Sequence, residues 1–167
     1  MVLVEILDAF TTPRTAEAAA RLLFEYLAAT QAEAGLPEPA TVEDLNPALE
    51  YECRNLAQVY RTPGTLLLAY HDGRAIGCVG VVSRGLGTAE IKRLYVRQAE
   101  RGGIGRLLVG HAHRHAAHHW FTRVVVSVEP GHTAAIEFYR RLGYTDAEPY
   151  DMSPMSMVHL QRPITPA

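Results

Sequence analysis

The chain has 167 residues, 48% hydrophobic and 20% charged, which excludes a disordered, collagenous or membrane-embedded protein and fits one soluble domain over 1–167. Sixteen basic residues against eighteen acidic leave a net charge of −2, so the bulk electrostatic footprint of a nucleic-acid binder is missing. Cys53 and Cys78 form no CxxC pair, which points to a reducing compartment. The acidic start "MVLVEILDAF" lacks the basic segment of a signal peptide, and no apolar run approaches bilayer length. A cytoplasmic protein with no membrane partner is expected.

In chain order, Val2–Leu7 reads as a first strand. Thr12 caps a helix with Pro13 at its first position, running to about Thr30. "GLPEPAT" breaks it. Thr41 and Asp44 resemble a capping box opening a second helical stretch, which Pro47 is expected to interrupt before it resumes to about Tyr60. After "RTPG" the period changes. Thr65–His71, the turn Asp72–Gly73, Ala75–Ser83, the turn "RGLG" and Thr88–Val96 predict a three-stranded antiparallel meander.

A glycine turn, Gly102, Gly103 and Gly105, opens a helix with Ile104, Leu107, Leu108, His111, Ala112 and His115 on one face. "RVVVSV" (Arg123–Val128) is a strand covered on both faces, so strand 88–96, this helix and strand 123–128 form a β–α–β unit with parallel strands. Thr133–Leu142 is a further helix ended by Gly143, followed by short strands around Tyr144–Ala147 and Met155–Leu160 that flank "DMSP". The fold class is α/β, a single domain with a mixed central sheet.

A glycine turn at a helix N-terminus is an anion site, to which Arg101 and Arg106 add charge. A P-loop needs Lys-Ser/Thr after its last glycine, where Arg106 and Leu107 stand. A dinucleotide fingerprint needs a third glycine where Leu108 stands. Instead, "AEIKRLYVRQAERGGIGRLL" followed by "HTAAIEFYRRLGY" resembles the GNAT superfamily of acetyl-CoA-dependent N-acetyltransferases. The first segment matches that family's Q/R-x-x-G-x-G/A turn. In the second, Ala135, Phe138, Tyr139, Leu142, Gly143 and Tyr144 match its A-x-x-F-Y-x-x-L-G-F/Y helix. The resemblance covers about Thr65 to Leu160, with one departure. Gly103-Ile104-Gly105 puts Glu100 at the Q/R position, whereas a one-residue deletion would give that role to Arg101-Gly102 and turn Glu100 to solvent.

The resemblance implies a GNAT-like fold with helices flanking the sheet and acetyl-CoA as cosubstrate, with no metal. Leu94, Tyr95 and Val96 would pair with pantetheine, and Arg101, Gly102, Gly103, Ile104, Gly105 and Arg106 would cradle the pyrophosphate. Ser127 ends the neighbouring strand beside the pantetheine, and His132 stands where the family often has an asparagine. Direct attack of an amine on the thioester makes Tyr139 the acid, since tyrosine titrates near ~10 and a thiol near ~8.5. Glu90 is the candidate base, although Lys92 on the same strand face makes a Glu90–Lys92 surface pair an equal alternative. The acceptor is a small-molecule or peptide amine, with Phe24, Tyr26, Tyr60, Glu148, Tyr150 and Asp151 as pocket residues by position.

His111, His115 and His119 stand four apart, a spacing that can hold zinc. No Glu follows the first and no Cys is near, so they read as helix residues, not a metal site. A non-catalytic acyl-CoA sensor is the alternative function. Nucleic-acid binding through Arg93, Arg97, Arg101 and Arg106 is less economical than one phosphate-bearing cosubstrate. Homodimers are common in the family, but nothing here specifies an interface.

Overall fold

The computed structural model describes residues 3–150 and 156–167. Val2, Met155, the turn "DMSP" and the pocket residue Asp151 lie outside those ranges.

Strand β1 (Val4–Asp8) leads into α1 (Pro13–Glu33) through a reciprocal cap. Thr15 N–H donates to Thr12 Oγ1 at 3.1 Å, and Thr12 N–H donates to Thr15 Oγ1 at 3.0 Å. Pro47 opens a helix instead of interrupting one. Asn46 Oδ1 accepts from the N–H groups of Ala48 and Leu49, both at 3.1 Å, and proline at the first position needs no donor. The result is α2 (Pro47–Arg54), followed by the single turn α3 (Leu56–Val59). Thr41 and Asp44 close only the 3-10 turn Val42–Asp44.

The meander forms as expected: β2 (Thr65–His71), β3 (Arg74–Gly85) and β4 (Thr88–Val96). Asp72 and Gly73 join the first two with φ of 50° and 71°, the geometry of a primed hairpin turn. Then follow α4 (Ile104–His118), β5 (Arg123–Val128), α5 (Thr133–Arg141), β6 (Thr145–Asp146) and β7 (Val158–Pro163). The seven strands form one sheet in the order β1-β2-β3-β4-β5-β7-β6, parallel only between β4 and β5. The last strand lies later in the chain than its expected Met155–Leu160. Its pairing with β5 runs from Val158 to Pro163, whose partner is Arg123. β6 is shorter than expected because Tyr144 turns into the core.

Helices cover both faces. Val79, Val81, Ile91, Val124 and Leu108 pack with α4 and α5 on one side. Leu22, Leu23, Tyr60, Leu66, Leu68 and Cys78 pack with α1–α3 on the other. Cys53 and Cys78 are buried and unpaired. No helix among the described residues is long and apolar enough to cross a membrane.

Two irregularities in β4 position the site. Its parallel pairing with β5 ends after Thr88–Arg123, Ala89–Val124 and Glu90–Val125, so the strands fork. A bulge also enters opposite β3: Cys78 faces Tyr95 but Gly80 faces Lys92, and Arg93 takes φ 57°. The bulge switches the alternation. Ala89 and Ile91 before it and Leu94 and Val96 after it all face α4 and α5, which leaves Glu90 and Lys92 on the opposite face.

Candidate active site

The fork exposes main chain. Arg97 N–H donates to Ile76 O at 3.0 Å, and Tyr95 O lies against Gly77, so both residues address β3. By alternation the main-chain groups of Leu94 and Val96 face the open side. Tyr95 therefore differs from the other two expected pantetheine contacts. Its hydroxyl donates to Glu25 Oε1 at 2.8 Å, on α1. Across the fork, the Ser127 hydroxyl is buried without a hydrogen-bond partner among the described residues. Such an orphan is rare in folded proteins and fits a group that accepts a ligand hydrogen bond.

At the far end of β4, Gly102 and Gly103 adopt φ of 147° and 90°, which only glycine takes without strain, and Gly103 is the N-cap of α4. The first helical hydrogen bond runs from Leu107 N–H to Gly103 O at 3.0 Å. The N–H groups of Ile104, Gly105 and Arg106 consequently stand at the positive end of the helix without an intrahelical acceptor. Of these three residues Ile104 borders a cavity of about 480 Å³, lined also by His71, Glu100, Arg101, Gly103 and Leu107. Gly105 is a helix residue, not part of the turn; a Cβ there would meet the Phe138 ring at 3.7 Å, an ordinary contact. The Glu100 side chain is 35% exposed and also lines the cavity, its carboxylate 3.7 Å from His71 Nδ1, while Arg101 and Arg106 are exposed.

Tyr139 occupies the buried face of α5, 6% exposed, edge-on to Phe138 and Tyr144 with ring centroids 5.2 Å away in each case. Burial, and then the nearby Tyr26, push its pKa above the ordinary phenol value. The Tyr26 ring lies 5.6 Å from that of Tyr95, so α1 brings an aromatic wall to the fork.

Glu90 is 4% exposed, at the last paired position of the fork. Its partner is Arg84, not Lys92: the guanidinium pairs with Oε2, and the Tyr150 hydroxyl reaches Oε1 at 3.5 Å. Arg84 lay hidden in the turn "RGLG". Its signal was register, because Glu90 faces Val82 and Arg84 is then the diagonal neighbour. Below the bulge, Arg93 Nε and Nη2 grip Glu52 at 3.0 and 2.9 Å, and the Tyr60 hydroxyl donates to Glu52 at 2.6 Å. Burial works to raise the Glu52 pKa, but Arg93 and Tyr60 outweigh it and hold it below the carboxylate range. No local pattern in α2 announced this glutamate. Tyr60 is thereby committed to the core and is not a pocket residue. Lys92, half-buried between these pairs, makes no hydrogen bond or ion pair among the described residues, and burial followed by Arg93 lowers its pKa.

The remaining residues fall outside this cluster. His132 is exposed at the start of α5, with Glu129 and Glu33 3.8 and 3.9 Å away. Glu148 is exposed, and Phe24 packs into the α1 core. His115 reaches Pro63 O at 2.8 Å, and its ring lies 4.3 Å from that of His119. Among the described residues no group of three or more His, Cys, Asp or Glu is placed to hold a metal ion. Arg93 and Arg97 are neutralised internally, by Glu52 and Glu25, which dismantles the four-arginine nucleic-acid patch.

Known proteins share this architecture. The chain is 32% identical over 115 residues to an uncharacterized N-acetyltransferase of Schizosaccharomyces pombe, covering 66% of this chain and 71% of the relative. A GNAT-family acetyltransferase of Staphylococcus aureus superposes with TM-score 0.77 at 14% identity, over 98% of this chain and 100% of the other. A phosphinothricin acetyltransferase of Sinorhizobium meliloti, solved with acetyl-CoA, gives TM-score 0.69 at 19% identity over 97% and 89%. Residues 22–144 match the model of the acetyltransferase (GNAT) family. By that match, over most of its length, the chain belongs to the acetyltransferase (GNAT) family and is an N-acetyltransferase.

Proposed function

We propose that the protein transfers the acetyl group of acetyl-CoA to a primary amine by direct attack on the thioester. The observation that carries this reading is the fork: strand pairing stops after Glu90–Val125 and leaves the main chain of Leu94 and Val96 open beside the orphaned Ser127 hydroxyl. In this reading these groups hold pantetheine amides, and the N–H groups of Ile104–Arg106 with Gly102, Gly103 and Arg101 hold pyrophosphate. Tyr95 contributes by fixing β4 to α1. The acetyl-CoA bound to the Sinorhizobium meliloti neighbour agrees with this assignment.

The amine nitrogen attacks the thioester carbonyl, the C–S bond breaks, and the amine loses a proton while the thiolate gains one. Tyr139 supplies the thiolate's proton. Burial keeps the phenol protonated, as a donor must be, and its hydroxyl makes no hydrogen bond among the described residues. Glu90 Oε1, the oxygen that Arg84 leaves to the Tyr150 hydroxyl, takes the amine's proton directly or through water.

One observation favours a second reading. The Arg84–Glu90 ion pair occupies the base, as a non-catalytic acyl-CoA sensor would tolerate. Release of free CoA thiol in the presence of an amine panel separates the two. Thiol release dependent on an amine supports transfer. Tight CoA binding without turnover of any amine supports the sensor.

A further inference from the structure

At the acceptor side of the fork, Arg84 and Arg93 and the carboxylates Glu52 and Glu90 all surround Lys92 closely enough to act on it. Arg84 neutralises Glu90 and Arg93 neutralises Glu52. Among the described residues the surplus is one positive charge, on the half-buried Lys92, which has no partner among them. A half-buried ammonium without a counterion is costly and is seldom left so.

An acceptor amine arrives as an ammonium, since alkylamines titrate near ~10. A surface with net positive charge repels a bare ammonium but accepts a molecule that brings its own anion. We propose that the acceptor is an amino acid or another amine bearing a carboxylate close to the reacting nitrogen, and that Lys92 receives this carboxylate. Lys92 stands two residues along β4 from Glu90 on the same face, so an anchored carboxylate leaves the amine beside the base. The same surplus charge favours loss of the ammonium proton, the step that must precede attack. Met and Arg replacements separate the two attributes of the side chain, its length and its charge. This inference deepens the transfer reading and rests on it.

The test compares the twenty amino acids with their primary amides, by thiol release and by calorimetric binding of the N-acetylated acids and amides to the protein–CoA complex. In the wild type, kcat/KM for the best acid exceeds that for its amide by about tenfold or more, carried mainly by KM, as one charge-assisted hydrogen bond provides. Lys92→Met brings the ratio near one, and Lys92→Arg restores most of the preference. A wild-type ratio near one, or a preference that Lys92→Met leaves intact, overturns the assignment. Circular dichroism and CoA affinity check the fold of each variant; Lys92→Gln replaces any that fails, and the wild-type comparison decides alone if both fail. If CoA binds but no amine is turned over, the transfer reading has failed. The binding arm then still reports on Lys92: tighter binding of acids than amides, lost in Lys92→Met, supports the anchor, and equal binding overturns it.

Discussion

At the glycine turn the groups offered to a ligand are main-chain N–H groups of Ile104–Arg106 and two exposed guanidiniums. At the proposed acceptor face they are side chains from β3, β4 and α2, locked in ion pairs with a single cation, Lys92, left over among the described residues. On the proposed reading the first end would hold phosphate by backbone geometry, and the second would hold its acceptor by charge balance, which a single substitution upsets.

The largest effect should fall on the acceptor face. Replacing Arg93 by Met strands the Glu52 carboxylate, 6% exposed, without its counterion, and should cost about 3–5 kcal/mol in urea unfolding. The double variant Arg93→Met with Glu52→Met should recover much of that loss. If the single variant is as stable as wild type, the pairs are not what organises this face.

Tyr139→Phe should lower kcat by about 10²-fold or more while CoA affinity stays near wild type, as expected for a lost proton donor. Steady-state kinetics beside calorimetry reads both. Unchanged turnover removes Tyr139 as the acid and leaves it a packing residue.

The turn offers a finer contrast. Gly103→Ala, at φ 90°, should cost about 1 kcal/mol of stability and weaken CoA binding. Gly105→Ala, inside α4 with only an ordinary contact to Phe138, should be neutral or stabilise by up to about 1 kcal/mol. Equal losses at both positions would place Gly105 back in the turn.

The smallest effect is a pH slope away from both ends. His113 lies between Arg162, 3.0 Å from Nδ1, and the Tyr144 hydroxyl, 2.7 Å from Nε2. Burial, then Arg162, lowers its pKa from 6.5 to about 4. Between those values the unfolded chain binds the proton more readily, so the contribution is complete above pH 6.5 and is lost as pH falls toward 4. His111 and His115 shift in the same direction, mainly through burial. Melting temperatures at pH 7, 5.5 and 4.5 should therefore fall less steeply for His113→Gln than for wild type, though the slope persists.

Much of the scaffold was legible because its signals are local. The meander, the β–α–β unit and the glycine turn rest on period-two alternation, the Asp72–Gly73 turn and a glycine-capped helix, each contained within a few residues. Pro47 misled because the same residue breaks a helix interior and opens a helix at its first turn, and Asn46 decided which. Ser127 was placed beside the cosubstrate by strand order alone, but its orphaned hydroxyl is a property of the fork.

The sequence by itself determined most of the order of elements, the motifs of the family and the place of the glycine turn, since these depend on backbone preferences and spacing within one segment. Only the tertiary structure decided who pairs with whom on the acceptor face. Glu52 and Arg93 are distant in the chain and meet because a bulge in β4 turns Arg93 toward α2. Glu90 is claimed by Arg84 and not by Lys92 because the β3–β4 register brings the guanidinium across the hairpin. Charge partnership acts through space over a few ångströms, and no spacing along a single chain encodes it.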